Sequence, residues 1–501
     1  MRKPVRISIL AVAILVLMLS LLIPVAAQKK SSKRKKKSTR STPYLILQSY
    51  SPVVAPTVAV ENAAPVVTAA PVEPSAVAPV APAKGSAMSG ESTGDADTNS
   101  KSSKGRIGIE QPHPDGAGSL MISEFRVRGP NGAQDEFIEI YNDSGVDHTV
   151  TAISGAGYGI AASDGVLRCT IPNGTVIPAR GHWLCVNSAG YSLASYPAGN
   201  GTTATGDATY TADIPDNAGI ALFNNTTGGG SFSLANRFDA VGSTSEANTL
   251  YKEGTGYPAL TPFSIDYSFY RDDCGKGGSI TTLGPCTITT PKDTDNNAAD
   301  FIFVDTNGTS AGAGQRLGAP GPQNLSSPIQ RNASVPILKL DAGVVQNSPP
   351  NRVRDFTSDP ANNSTFGTIS IRRRFVNNTG GNVTRLRFRV IDLTTFPAPS
   401  GIADLRPRTS VAVVVSGITD AATCLASTGS ATTPCTVTVQ GTALEQPPSQ
   451  PNGSGFNGSL SANTVTLATP LANGASINLQ FLMGIQQTGT FKVYVNVEVL
   501  P

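Results

Sequence analysis

The sequence contains few of the residues from which catalytic and zinc sites are usually built. Its 501 residues include three histidines, His113, His148 and His182, and its six cysteines form no C-x-x-C motif. Only His182 lies close to a cysteine in the sequence, so we do not expect a zinc site. Because histidine is the commonest general acid and base, we predict that the chain is not an enzyme and has no small-molecule substrate.

The first 27 residues have the pattern of a secretory signal. Basic residues precede an apolar run from Ile7 to Ala27 that ends in small side chains, which predicts cleavage between Ala27 and Gln28. The run is 21 residues long, so an uncleaved N-terminal membrane anchor is the alternative. Either outcome predicts a protein that is secreted or held in the cell envelope.

Two segments of unusual composition follow. Residues 28–41 are strongly basic, with eight basic and no acidic residues from Lys29 to Arg40. This basic tail is either a solvated tether or a contact for an anionic polymer or lipid. Residues 42–118 are first rich in Pro, Ala and Val and then in Gly and Ser, which predicts a disordered stalk that presents the rest of the chain.

The cysteines occur as three local pairs. They are Cys169 with Cys185, Cys274 with Cys286, and Cys424 with Cys435. Six cysteines allow 15 connectivities. In an exported protein the even number predicts disulfides, and the short spacing favours a bridge within each pair.

From residue 119 the chain changes to short β-rich runs broken by turn residues. The segments 119–127 and 136–142 alternate side chains as strands do, and the turn-forming sequence GPNGAQD between them predicts a hairpin. Alternation places Glu136 and Glu139 on opposite faces, so they do not fit a paired-carboxylate mechanism. We expect Arg126 or Arg128 to pair with one of these two glutamates across the strands.

This stretch resembles a known family. ISEF at 122–125 and GPNGAQDEFIEIYN at 129–142 are similar to the opening of the lamin tail domain, in the type found in secreted bacterial proteins. The matching motif residues are Glu124, Glu136, Phe137, Glu139 and Asn142. Weaker agreement continues at 177–191, 238–242, 293–301 and 317–324. The resemblance implies an immunoglobulin-like β-sandwich over 119–325 with a role in binding or display, and it implies no active site. The tryptophan-containing strand that usually follows this opening is missing after Asn142.

One short motif suggests a metal ion. In DTDNNAAD the residues Asp293, Asp295, Asn297 and Asp300 have the oxygen-rich spacing with which a calcium loop begins. Ala298 replaces the turn glycine of an EF-hand and Val304 replaces its bidentate acid. The alternative is an Asx-rich turn that caps the following strand DFIFV. Apart from this calcium ion, no cofactor is expected.

Other candidate motifs have simpler interpretations. Gly-x-Ser-x-Gly around Ser310 lacks the strand and helix of a nucleophile elbow, and the glycine-rich residues 199–204 lack a nucleotide-binding helix. Trp183 is either an exposed anchor for a ligand or a core residue beside a disulfide, and we favour the core.

Residues 333–501 predict a second β-sandwich. The segments 367–377 and 383–393 flank the sequence NTGGN and predict a long hairpin, with Arg385, Arg387 and Arg389 opposite an apolar face. We expect this arginine face to be solvated and partly paired with acids, although it could also bind an anionic partner. The last strand alternates Val493, Val495, Val497 and Val499 with polar residues, which predicts a half-buried antiparallel strand.

The sequence therefore predicts an all-β protein with two β-sandwich domains on a disordered stalk. Its predicted function is non-catalytic, with the two sandwiches serving in binding, adhesion or structural display toward an extracellular or envelope partner. One alternative is an accessory protein of an extracellular hydrolase or nuclease. Another is an extracellular binder of DNA or glycans through the basic tail.

Deletion of residues 28–41 tests that last alternative. Each basic side chain adds a salt-sensitive attraction to an anionic polymer. We therefore expect a chain that starts at Gln28 to elute from heparin resin at higher salt than the deletion variant. Equal elution of the two chains would show that the basic tail is not the binding element.

Overall fold

The computed structural model describes most of the chain from residue 120 onward. The described ranges are 120–196, 204–227, 231–259, 265–273, 291–307, 316–330, 334–395, 403–445 and 455–501. The predictions for 1–27, 28–41 and 42–118 lie outside these ranges, as do His113, residues 199–203, Cys274, Cys286 and Ser310. Within them, no helix is both long and apolar enough to cross a bilayer.

Strands dominate the described residues, which confirms the predicted all-β class. The first two large sheets share one apolar core and are called the N-terminal sheet pair. Its seven-stranded sheet has the order β13-β12-β11-β1-β2-β7-β8. The strands are β1 (Leu120–Arg126), β2 (Phe137–Asn142), β7 (His182–Asn187), β8 (Ala208–Tyr210), β11 (Tyr267–Arg271), β12 (Phe301–Asp305) and β13 (Arg316–Leu317).

The opposite sheet of this pair has four strands in the order β10-β9-β4-β5. They are β4 (Gly157–Ala162), β5 (Leu167–Pro172), β9 (Ile220–Phe223) and β10 (Arg237–Val241). The short strands β3 (His148–Thr149) and β6 (Val176–Ile177) pair beside them, and helix α1 (Asn297–Asp300) precedes β12.

The C-terminal sheet pair consists of two five-stranded sheets. One has the order β14-β25-β18-β23-β22, and the other has the order β15-β17-β24-β19, with β16 also paired to β17. The first contains β14 (Ile329–Gln330), β18 (Arg385–Leu393), β22 (Ala443–Glu445), β23 (Ser459–Ser461) and β25 (Val493–Leu500). The second contains β15 (Ile337–Lys339), β16 (Arg352–Asp355), β17 (Thr368–Val376), β19 (Asp404–Arg408) and β24 (Ser476–Gln487).

A small unit is attached to the second of these sheets. The strands β20 (Val413–Ile418) and β21 (Cys435–Val439) form a two-stranded sheet, and helix α2 (Ala421–Thr428) connects them. Asp420 caps the start of α2 by accepting from the Ala422 amide, and Gly429 ends it in the left-handed conformation. The disulfide Cys424–Cys435 ties the helix to β21.

Apolar alternation explains where the two cores lie. Ile138, Ile140 and Trp183 face the core of the N-terminal pair, where Trp183 is 2% exposed, so the prediction that it is a core residue is confirmed. The disulfide Cys169–Cys185 joins β5 to β7 in the same core, in agreement with the predicted local pairing. A bridge between opposite sheets holds the two layers of this pair together.

The hairpin predicted for residues 367–377 and 383–393 is wrong. β17 pairs with β24, whereas β18 pairs with β25 and β23, so the two strands belong to different sheets. Their apolar faces meet across the core instead, with the rings of Phe375 and Phe388 4.7 Å apart. Side-chain alternation is the same whether two strands pair by their edges or pack by their faces, so the sequence pattern did not distinguish the two arrangements.

The arginine face of β18 is not solvated as predicted. Arg387 and Arg389 are buried, and so are Asn496 and Glu498 on the neighbouring strand β25. β25 is antiparallel to its neighbours as predicted, but it is buried on both faces rather than one. The reason is that the outer face of this sheet lies against the N-terminal sheet pair.

Several contacts form this junction between the sheet pairs. Tyr270 of β11 and Val304 of β12 pack into the apolar core of the C-terminal pair. Phe456 forms a parallel bridge with Gly318, in which its amide donates to the Leu317 carbonyl at 2.9 Å and its carbonyl accepts from the Ala319 amide at 3.0 Å. The Tyr196 hydroxyl donates to the carbonyl of Glu445 at 3.0 Å. The two sheet pairs are thus joined by main-chain, apolar and polar contacts.

Candidate functional site

The candidate site is a small cavity at this junction, called the junction cavity. Its wall on the N-terminal side comes from β1, β2 and β7 through Ser123, Glu124, Glu139 and His182. Its wall on the C-terminal side comes from β18 and β25 through Arg389, Asn496 and Glu498. Buried polar side chains of both sheet pairs therefore face one another there.

A β-bulge in β1 creates the acidic wall. The pairing of β1 with β2 shifts between Ile122 and Glu124, and Glu124 then lies directly opposite Glu139. Ile122 and Phe125 both face the core, so Ser123 and Glu124 are the residues turned away from it. The bulge thus places two carboxyl groups on a common face, which strict alternation along the sequence did not predict.

Glu139 is at the centre of a hydrogen-bonded group. Its Oε1 accepts from the Ser123 hydroxyl and lies 2.9 Å from Nδ1 of His182. Its Oε2 accepts from the backbone amide of Gln323 at 2.6 Å. Both carboxylate oxygens are therefore used, one by side chains of its own sheet and one by the segment that leads to the C-terminal sheet pair.

The pKa of the Glu124 carboxyl group is shifted toward neutral pH. Burial, reinforced by the neighbouring Glu139, raises the pKa of Glu124 to about 7. Arg389 and the backbone amide of Gly321, which donates to Oε1 at 2.9 Å, act in the opposite direction. Glu124 is thus a buried carboxyl group that exchanges its proton close to physiological pH.

The opposite wall is an ion-pair network. Nε of Arg387 lies 2.6 Å from Oε2 of Glu498, and Nε of Arg389 lies 2.8 Å from Oε1. Although burial acts to raise the pKa of Glu498, the charges of the two arginines lower it to about 2. Arg389 also donates to the carbonyl and side-chain oxygens of Asn457 at 3.0 and 2.6 Å. Glu498 therefore remains ionised.

The size of the junction cavity limits its chemistry. Its volume is about 40 Å³. A cavity needs about 10–15 Å³ to hold one water molecule, and each water occupies about 30 Å³ in the liquid, so this cavity has room for one or two waters. In the conformation described the cavity has space for water but an organic substrate does not fit.

The remaining motif residues, Glu136, Phe137 and Asn142, do not line the cavity. Glu136 accepts from the Asn187 side chain and the Ile214 amide, both at 2.8 Å, and burial raises its pKa to about 8. Phe137 packs in a separate apolar cluster. The Asn142 amide donates to three backbone carbonyls of the loops around it. These residues support the fold around the motif rather than one shared site.

The predicted pairing of Arg126 or Arg128 with Glu136 or Glu139 is wrong. Arg126 forms buried ion pairs with Asp135 and with Asp266, the latter at 3.0 Å, while Arg128 pairs with Asp216 at 3.0 Å. The register explains this outcome, because Arg126 lies opposite Phe137 and Glu139 lies opposite Glu124.

The four residues predicted to bind calcium make different contacts. The Asn297 amide bonds to the backbone of Ala240 and Gly242, and the Asp300 carboxylate accepts from the amide and hydroxyl of Thr294. Asp295 is exposed in the left-handed conformation. This arrangement agrees with the alternative of an Asx-rich turn before β12. Asp293 instead lies beside Asp239 and Glu253.

Comparisons with known proteins add no relative. No protein-family model, curated protein or solved structure matches the chain. The resemblance of the opening motif to the lamin tail domain therefore stays a prediction.

The substitution Glu124→Gln tests the electrostatics of the junction cavity. The pKa of Glu124 is raised from 4.5 to about 7, so its protonation stabilises the fold below pH 4.5 and this contribution is lost as the pH rises through 7. Glutamine keeps an oxygen for the Gly321 amide and does not titrate. We expect the free energy of unfolding of the variant, relative to that of the wild type, to increase by at most roughly 3 kcal/mol between pH 4.5 and pH 7.

Urea unfolding at several pH values measures this difference. A difference between variant and wild type that stays constant from below pH 4.5 to above pH 7 would contradict a raised pKa at Glu124.

Proposed function

We propose that the chain is a non-catalytic secreted or envelope-displayed protein in which the two sheet pairs act together as one binding or adhesion module. In this proposal the N-terminal pair is an immunoglobulin-like, lamin-tail-like sandwich and the C-terminal pair is a second sandwich. Residues 42–118 serve as the stalk, and the partner is an extracellular or envelope component.

The construction of the junction cavity is the observation that carries this proposal. Both oxygens of Glu139 are used by hydrogen bonds that hold Ser123, His182 and Gln323. Glu498 is neutralised by two arginines on the neighbouring strand. Polar groups with these partners fix the relative position of the strands and connecting segments around them, which suits a rigid module better than a site that must bind and release a substrate.

The disulfides support an oxidising compartment. Cys169–Cys185 lies in the core of the N-terminal sheet pair and Cys424–Cys435 closes the small unit on the C-terminal pair. Disulfides of this structural kind form and persist mainly in exported proteins.

A hydrolytic role is the second candidate, and the facing pair of Glu124 and Glu139 favours it. A carboxyl group with a pKa of about 7 next to a second carboxylate is an arrangement that acid–base catalysis uses. The cavity volume of about 40 Å³ argues against it, because a scissile bond must lie between the two groups. We therefore place structural binding first.

Fractionation of the cells that produce the protein tests its proposed location. We expect the folded chain in the medium or the envelope fraction, with Cys169–Cys185 and Cys424–Cys435 oxidised, because these pairs are built into the fold. Mass spectrometry after alkylation without reduction reports the state of the cysteines, and the mature N-terminus shows whether Gln28 is exposed by cleavage. A cytoplasmic protein with alkylated cysteines would contradict the proposal.

A further inference from the structure

Three carboxyl groups from distant parts of the sequence meet at one point of the N-terminal sheet pair. Asp239 belongs to β10, Glu253 follows the 3₁₀ turn Thr249–Tyr251, and Asp293 precedes helix α1. One oxygen from each carboxylate can be chosen so that all three lie within 4.8 Å of one another. The cluster lies outside the junction cavity and contains one residue of the predicted calcium loop.

The burial of the Glu253 carboxyl group makes this cluster a candidate binding site. It is 4% exposed, its Oε1 accepts from Arg237 at 3.1 Å, and its Oε2 has no hydrogen-bond partner among the residues that the structure describes. A buried carboxylate oxygen without a donor costs its full desolvation free energy. An oxygen in this position therefore points to a ligand that carries positive charge.

The charge balance of the surroundings agrees with a divalent cation. Arg271 contacts Asp239, Asp293 and Asp300, and Arg237 contacts Glu253. With Glu253 ionised, these four carboxylates exceed the two guanidinium groups by two negative charges. Burial and the neighbouring Asp239 raise the pKa of Glu253 to about 10, so a bound cation displaces its proton. Arg271 is buried, whereas Asp293 is exposed, so a cation can reach the cluster from solvent beside Asp293.

We infer that Asp239, Glu253 and Asp293 form a calcium-binding site that links the two sheets of the N-terminal pair. All three ligands are oxygens, which hard cations prefer. Calcium–oxygen distances of about 2.3–2.6 Å place ligands on opposite sides of the ion up to roughly 5 Å apart, so one ion can reach all three carboxylates, whose oxygens lie within 4.8 Å of one another. Magnesium, with bonds of about 2.0–2.1 Å and a strict octahedron, fits less well. Water entering beside Asp293 completes the coordination.

Binding would connect elements that are separate in the sequence. β10 belongs to the four-stranded sheet, while Asp293 leads through α1 into β12 of the seven-stranded sheet. An ion that binds only the folded chain raises its stability with concentration. The site is independent of the proposed function. It lies beside the junction cavity, because Arg271, which contacts Asp239 and Asp293, also lines that cavity.

Calcium titration by calorimetry and thermal unfolding in calcium or EDTA test the site on the full mature chain. We expect a dissociation constant of about 10⁻⁴–10⁻³ M, a higher melting temperature in calcium than in EDTA, and a weaker response to magnesium. Glu253→Gln should weaken calcium binding by about tenfold or more, because it removes one charge and one ligand oxygen. The exposed Asp293→Asn should weaken it in the same direction without disturbing the core.

Asp295→Asn is the matched control. It removes an exposed carboxylate of the same loop that is outside the cluster, and asparagine accepts the left-handed conformation found at this position. We expect its calcium affinity to stay within about twofold of the wild type. Absence of heat and of a melting shift in the wild type would overturn the inference. So would a calcium response that survives both Glu253→Gln and Asp293→Asn, or one that only Asp295→Asn removes.

Discussion

The buried ion pairs of Glu498 with Arg387 and Arg389 are the interaction on which the junction depends. They convert the outer face of a C-terminal sheet, which would otherwise be solvated, into a surface that packs against the N-terminal sheet pair. Removing charges from water is costly, and this cost is offset only where the geometry and the remaining hydrogen bonds are good. Arg389 meets this requirement, because it also donates hydrogen bonds to two oxygens of Asn457.

The N-terminal side of the junction has the opposite electrostatic character. Glu124 and Glu139 face each other across β1 and β2, and the connecting segment supplies the amides of Gly321 and Gln323 to their oxygens. The segment that joins the two sheet pairs is therefore held by the acids of one pair and lies close to the arginines of the other. This arrangement explains why residues 317–324 are buried although they form a connection.

Part of this architecture follows from the sequence. The alternation in 119–127 and 136–142 predicted β1 and β2, and the spacing of the cysteines predicted the pairs Cys169–Cys185 and Cys424–Cys435 that the structure contains. Trp183 was correctly assigned to the core. These features depend on local pattern and composition, which a single sequence contains.

The rest depends on tertiary contacts that no local pattern specifies. The bulge at Ser123 breaks strict alternation and brings Glu124 opposite Glu139. Polar residues such as Arg389 and Glu498 alternate as in a solvated strand, yet they are buried because a second sheet pair covers them. Likewise, Asp293 meets Asp239 and Glu253 through the folding of distant segments rather than through the spacing of its own loop.

The most direct test of this account is whether the two sheet pairs unfold together. Hydrogen exchange followed by mass spectrometry at increasing denaturant can monitor peptides from β2 and from β24 in the same sample. We expect both peptides to lose protection at one denaturant concentration, and we expect Arg389→Met to move both transitions to lower denaturant. Separate transitions, with β2 unaffected by Arg389→Met, would contradict the claim that the junction makes the two sheet pairs one unit.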